Sequence, residues 1–271
     1  MRLSRLVGLL VTAAVVVGVL VASSAAAVMA PRTVALHLTV NGSGTLRVPG
    51  HPAFTCHASP TRAHCRRTFQ IRKGLRLVLR ESPASGWKLW KWSGLACHGS
   101  AASCSLRVKA RRFGFVTASF LPPGDRLNPY PLGAPANLRG GGWQVKVNSA
   151  TLEATAAVDA VVMNGQPANS PPPPGAQYTL VNVSMTYVGS GSSSLQNYIF
   201  GWIRAEGHKN APYPNYCIPP GTDLGSVDQV FSGQTVTGNL CFEIASNDTA
   251  SLLLNGGDDE VTGLPVWFAL R

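Results

Sequence analysis

Six cysteines constrain this chain more than any other feature. They stand at positions 56, 65, 97, 104, 217 and 241, with gaps of 9, 7 and 24 inside successive pairs and longer gaps between pairs. Whether such a set becomes covalent staples depends on the compartment, and the N-terminus speaks to that. Arg2 and Arg5 precede an uncharged, Val-, Leu- and Ala-rich run from Leu6 to Ala30 that includes Ser23, Ser24, Ala25, Ala26 and Ala27. A positive start, an apolar middle and an A-x-A site make a secretory signal, with Ala25 and Ala27 flanking a cut after Ala27. The run also exceeds the about 20 apolar residues that span a bilayer. Residues 1–30 are therefore read as a signal peptide or an uncleaved N-terminal membrane anchor. No cysteine follows the run to accept a lipid, and the closing Val266-Trp-Phe-Ala-Leu-Arg271 carries no second anchor. An even number of cysteines in an exported chain reads as disulfides. The local pairing Cys56–Cys65, Cys97–Cys104 and Cys217–Cys241 needs the least chain rearrangement. The expected location is extracellular or the cell envelope.

The formal charge of +11 hides a split. Residues 31–122 hold fifteen Lys/Arg against Glu81 alone, a net +14, while residues 123–271 hold six against eleven acids, a net −5. A step this abrupt marks a domain boundary. It coincides with Leu121-Pro-Pro-Gly-Asp-Arg-Leu-Asn-Pro-Tyr-Pro-Leu-Gly-Ala-Pro135, where prolines and glycines deny the chain a regular element. The expected organisation is a basic β-domain over 31–121, a Pro/Gly linker over 122–135 and a β-sandwich over 136–271.

Both halves read as all-β. Val34, Leu36, Leu38 and Val40 alternate with Ala35, His37 and Thr39, and Asn41-Gly-Ser-Gly44 supplies a turn. Leu75, Leu77 and Leu79 alternate with Arg76, Val78 and Arg80, while Val181, Val183, Met185 and Tyr187 form one face of a later strand. Val236, Gly238, Leu240 and Phe242 repeat the pattern near the last cysteine. Period-2 alternation broken by glycine clusters is the signature of half-buried antiparallel strands. No stretch after residue 30 shows a capped helical period. Pro171-Pro-Pro-Pro-Gly175 lies between strands of like composition and is read as a surface loop inside the second domain.

Particular residues carry two resemblances. Leu38-Thr-Val-Asn-Gly-Ser-Gly-Thr45, Cys56 with Cys65, Gly86-Trp-Lys-Leu-Trp-Lys-Trp-Ser-Gly94, Cys97 with Cys104 and Val116-Thr-Ala-Ser-Phe120 together resemble the divergent bacterial repeat related to the B-repeats of internalins. That resemblance implies a small β-domain of exported, often adhesive proteins, although this copy is far more basic and stands alone. In the second half the carrying segments begin with Asn128-Pro-Tyr-Pro-Leu-Gly133, Trp143-Gln-Val-Lys-Val147 and Pro172-Pro-Pro-Gly-Ala-Gln-Tyr-Thr-Leu-Val-Asn-Val-Ser-Met-Thr-Tyr187. They continue with Val230-Phe-Ser-Gly-Gln-Thr-Val-Thr-Gly-Asn-Leu-Cys-Phe242 and Ser251-Leu-Leu-Leu254. This half resembles a family of secreted immunoglobulin-like sandwiches of unknown function from actinobacteria, which implies a fold and a compartment but no chemistry.

Three groups of residues are candidates for function. Arg62, Arg66, Arg67, Arg72, Lys73, Arg76, Arg80, Arg107, Lys109, Arg111 and Arg112 make a field strong enough to attract polyanions by steering and counterion release. Arginine dominates, and its planar fork suits bidentate contact with phosphate or carboxylate. Outside a cell the available polyanions are teichoic acids, acidic glycans, anionic lipid surfaces and DNA. Trp87 and Trp90, beside Lys88 and Lys91, are candidates for stacking on a sugar or base, whereas Trp92 is expected in the core. In an extended strand Trp90 and Trp92 share a face, and Trp87 shares one with Leu89. Cys56-His57, His64-Cys65 and Cys97-His98 look metal-like, but their spacing departs from zinc sites and an oxidising compartment consumes the thiolates. No metal or other cofactor is expected. Asp258-Asp-Glu260 offers too few oxygens for calcium and is read as an acidic turn.

No Gly-x-Ser-x-Gly, His-Glu-x-x-His or phosphate-binding glycine loop occurs. The expectation is a non-catalytic envelope protein whose basic domain binds anionic polymers and whose sandwich meets a protein partner. The alternatives are a structural or host-facing secreted antigen without polyanion binding, and a zinc-binding or hydrolytic envelope protein.

Overall fold

The computed structural model describes residues 33–109, 113–138, 142–195, 202–205, 217–247, 252–258 and 265–271. The signal or anchor segment, Arg111, Arg112 and the acidic turn from Asp259 lie outside the described residues. The first domain has strands β1 (Thr33–Asn41), β2 (Gly44–Val48), β3 (His51–Ala58), β4 (His64–Arg72), β5 (Arg76–Pro83), β6 (Lys88–Ser93), β7 (Ser103–Arg107) and β8 (Phe113–Leu121). They form two four-stranded sheets, β4-β1-β8-β6 and β3-β2-β5-β7. Alternation sends one side of each strand inward. Val34, Leu36, Leu38 and Val40 of β1 meet Leu46, Leu77 and Leu79 of the other sheet in one core, which Trp92 and Phe120 complete. Leu75 departs from the expected pattern: it is 40 % exposed in the turn before β5, and only Leu77 and Leu79 are buried.

Two details of this domain go beyond the periodicity. β1 pairs antiparallel with β4 and parallel with β8, so the sheet is mixed. Gly42 (φ 83°) and Gly94 (φ 97°) both lie against the backbone of β8. A Cβ on Gly42 would strike the Phe120 carbonyl and one on Gly94 the Phe115 carbonyl. Close approach and positive φ together call for glycine.

The second domain contains β9 (Pro135–Leu138), β10 (Trp143–Thr151), a one-turn helix α1 (Thr155–Asp159), β11 (Val162–Met163), β12 (Gln166–Pro167) and β13 (Ala176–Tyr187). It continues with β14 (Ser192–Ser194), β15 (Trp202–Ala205), β16 (Gln229–Phe231), β17 (Thr235–Ala245), β18 (Leu252–Asp258) and β19 (Pro265–Ala269). The main sheet, β17-β13-β10-β9, is antiparallel and faces a second sheet, β15-β18-β19. Trp143, Val145, Val181, Val183, Met185 and Phe242 pack there against Leu254, Val266 and Phe268. The opposite face of the main sheet is polar over Asn182, Ser184 and Thr186, which hydrogen-bond across to Asn239, Thr237 and Thr235. Toward the other end of β13 that same face turns apolar, and Ala154 and Val158 cover it together with Tyr178 and the Cys217–Cys241 bridge. The helix was not expected from sequence, because five residues are too few to display a period. Asn164 (φ 51°) and Gly165 (φ 78°) make the tight turn between β11 and β12, as Asn-Gly favours. Pro171–Gly175 forms a loop between β12 and β13.

All three local disulfides are present: Cys56–Cys65, Cys97–Cys104 and Cys217–Cys241. The two cores are separate, yet Thr33–Arg271 form one compact unit. The Pro/Gly segment is held in place. Tyr130 N–H donates to the Trp267 carbonyl and Ala269 N–H donates to the Tyr130 carbonyl, at 2.9 and 2.8 Å. The Asn128 side-chain amide donates to the carbonyls of Gly86 (2.8 Å) and Pro122 (3.0 Å). Lys88 Nζ donates to the Leu127 carbonyl at 3.3 Å.

Candidate functional site

Cationic residues cover both outer faces of the first domain. On β4, Arg66 and Arg72 point outward opposite Thr39 and Thr33 of β1, and Arg67 is exposed in register with Leu38. Arg62 sits in the β3–β4 turn, where it bridges to Ser59. On the other sheet, the outward positions of β5 are Arg76, Val78 and Arg80, because Leu77 and Leu79 point inward. The outward positions of β7 are Ser103, Ser105 and Arg107. β5 and β7 run in register with Arg76 opposite Arg107, and β2 and β5 with Arg47 opposite Arg80. This sheet therefore carries two cross-strand arginine pairs on its solvent face. Among the described residues, none of these four guanidinium groups has a hydrogen bond or an ion pair.

The strand ends gather further charge. Gly74 N–H donates to the Val108 carbonyl (2.8 Å) and Val108 N–H to the Leu75 carbonyl (3.2 Å). These bonds bring Arg72 and Lys73 to the same end of the domain as Arg76, Arg107 and Lys109. Arg76 is shared by two shallow, open depressions, of about 350 and 430 Å³. The first reaches Val78 and Arg80, and the second Ser105 and Arg107. The bonds that tie the two halves of the chain lie at the Pro83 end of β5, roughly 20 Å along the strand from Arg76 at about 3.3 Å per residue.

Glu81, the one acid among residues 31–122, does not neutralise this surface. It follows Leu77 and Leu79 on the inward side of β5 and is half-buried. Its Oε2 is buried with no hydrogen-bond partner among the described residues, and burial pushes its carboxyl pKa upward.

The tryptophans depart from the expected strand geometry. Trp92 is in the core at 2 % exposure and donates its Nε1–H to the Ala101 carbonyl at 2.6 Å. Trp90 does not share its face. The pairing of β6 with β8 slips between Leu89 and Lys91, and this bulge turns Leu89 and Trp92 inward together. Trp90 is left 46 % exposed, with Lys91 Nζ 4.0 Å above its ring. Trp87 is half-buried against the core. Of the two stacking candidates, Trp90 is the more exposed.

The Cys–His constellation is not assembled as a metal site. Every one of the six sulfurs is in a disulfide, so no thiolate remains to bind zinc. His57 and His64 lie on strands rather than on a loop. They hydrogen-bond to Thr45 Oγ1 (2.8 Å) and Asn41 Oδ1 (3.1 Å).

Arg47 is the functional candidate that sequence reasoning passed over. It stands alone between Leu46 and Val48, and only the β2–β5 register reveals Arg80 as its neighbour. No family model matches this chain, and no curated protein or solved structure is detectably similar to it.

Proposed function

We propose that this is a non-catalytic protein of an exported, oxidising compartment whose basic domain holds anionic polymers of the cell envelope. One observation carries the reading. Every described Lys and Arg from Arg47 to Lys109 is exposed, while the only acid of that domain is turned toward its core. A cationic surface that lacks internal counter-charges attracts polyanions and releases their condensed counterions on contact. The three disulfides support the compartment, since such bonds persist where thiols are not kept reduced. They also commit every cysteine to structure rather than to nucleophilic chemistry. In this reading the sandwich supplies protein contact. Its exposed apolar residues include Val162 and Met163 on the β11–β12 hairpin, with Val188 and Phe231 elsewhere on its surface.

The test is retention of the chain lacking residues 1–30 on immobilised heparin or teichoic acid. Contacts with phosphate or carboxylate groups weaken as salt rises, and elution of a polyanion-binding chain is expected only above roughly 0.2 M salt. Elution below that strength refutes polyanion binding.

A further inference from the structure

The proposed function leaves open which surface does the binding and which anion it recognises. Resting on that reading, we infer that the outer face of the β3-β2-β5-β7 sheet is the binding site, and that its ligand is a phosphodiester polymer. Each arginine pair, Arg47 with Arg80 and Arg76 with Arg107, clamps one phosphate of the chain.

The register carries the argument. Directly opposed residues on adjacent strands have Cβ atoms about 5 Å apart, and like charges so placed repel and destabilise the sheet. The domain does this twice on one face and gives neither pair an acid. Two guanidinium groups at that separation can both reach a single tetrahedral anion, and each offers a planar fork of donors to its oxygens. An anion seated between them turns the repulsion into a bridge.

The layout favours a linear polymer. Arg76 and Arg80 are four residues apart on β5, about 13 Å at the usual strand rise. The two clamps therefore bind well-separated charges of one extended chain. Between them lie Val78 and its cross-strand partner Ser105, a small surface that an uncharged polyol or sugar linker can cross. Among the described residues, the face has no cluster of large exposed apolar side chains to insert into a lipid layer. Only Val78, at 38 % exposure, stands between the pairs. The opposite sheet lacks the motif, because Arg66 and Arg72 face threonines.

The test uses the chain lacking residues 1–30 and measures binding by calorimetry at several salt concentrations. Its probes are poly(glycerol phosphate), a single-stranded DNA oligomer, a polycarboxylate glycan and anionic lipid vesicles. Two phosphate clamps predict a log–log salt slope of about −1.4, so affinity falls about sevenfold between 50 and 200 mM salt. The double substitutions Arg47→Ser/Arg80→Ser and Arg76→Ser/Arg107→Ser should each halve that slope, and Arg66→Ser/Arg72→Ser should leave it unchanged. Binding of both phosphodiesters supports the proposal, and the tighter one identifies the source. A preference for the glycan or the vesicles overturns it. So does unchanged binding in the two pair variants with loss in the Arg66/Arg72 variant, although polyanion binding itself then stands. If no probe binds the parent chain, the general reading fails as well. A stability measurement provides an independent readout. In low-salt buffer free of phosphate each pair variant should melt no lower than the parent, and adding the polymer should raise the melting point of the parent more than that of either pair variant.

Discussion

Glu81 shows at the scale of one residue how the basic domain treats negative charge. Its carboxyl is half-buried with one oxygen unpartnered among the described residues, and desolvation raises its pKa above the ordinary 4.5. The folded chain thus holds this proton more tightly than the unfolded chain does. The stabilisation is complete below the ordinary carboxyl pKa and is lost as pH rises through the raised folded value. Glu81→Gln removes that dependence. Melting curves between pH 4 and 7 should show the variant gaining on the parent as pH increases, and a constant difference across the range would contradict the assignment. Glycine roles divide in a similar way between local and distant causes. Asn41-Gly-Ser-Gly44 reads as a turn from sequence, but the closeness of Gly42 to Phe120 is a packing fact. Gly94 was visible only as part of a Trp-Ser-Gly motif, and the Phe115 carbonyl supplies its physical reason.

At the scale of strands, alternation was enough to sort inward from outward residues over β1, β5, β13 and β17, because a pleated strand offers no other arrangement. It failed at β6, where a bulge against β8 inserts a residue and reverses the expected relation of Trp90 and Trp92. A bulge belongs to a pair of strands, so one strand's sequence does not reveal it. The same limit hid Arg47, whose meaning depends on a register with β5. The tryptophans give a direct check on the observed geometry. Trp92→Ala should cost about 3–5 kcal/mol, as expected for a buried aromatic. Trp90→Ala, at an exposed site, should stay within about 0.5 kcal/mol. Denaturant titrations of both variants measure this, and comparable losses would mean that the two rings share a face after all.

For the molecule as a whole, the charge step and the Pro/Gly segment marked a change between the halves, and two separate cores lie on either side of it. What composition concealed was how firmly that segment is fastened. Asn128 reaches from it to Gly86 in the first domain, while Tyr130 is threaded into the backbone bonding of β19. Asn128→Ala should leave both cores intact yet speed proteolytic cleavage between residues 122 and 135. Unchanged cleavage would show that the side chain is not the latch. A last consequence follows from the place of β1. It lies between β4 and β8, and its parallel partner β8 ends the domain. A chain that emerges N-terminus first can form the β2–β3 hairpin and close Cys56–Cys65 early. Its opening strand can pair with β4 once residue 72 has appeared, but its other edge stays open until β8 arrives. Non-local pairing of this kind slows folding, so the first domain completes its β4-β1-β8-β6 sheet only when its last strand arrives.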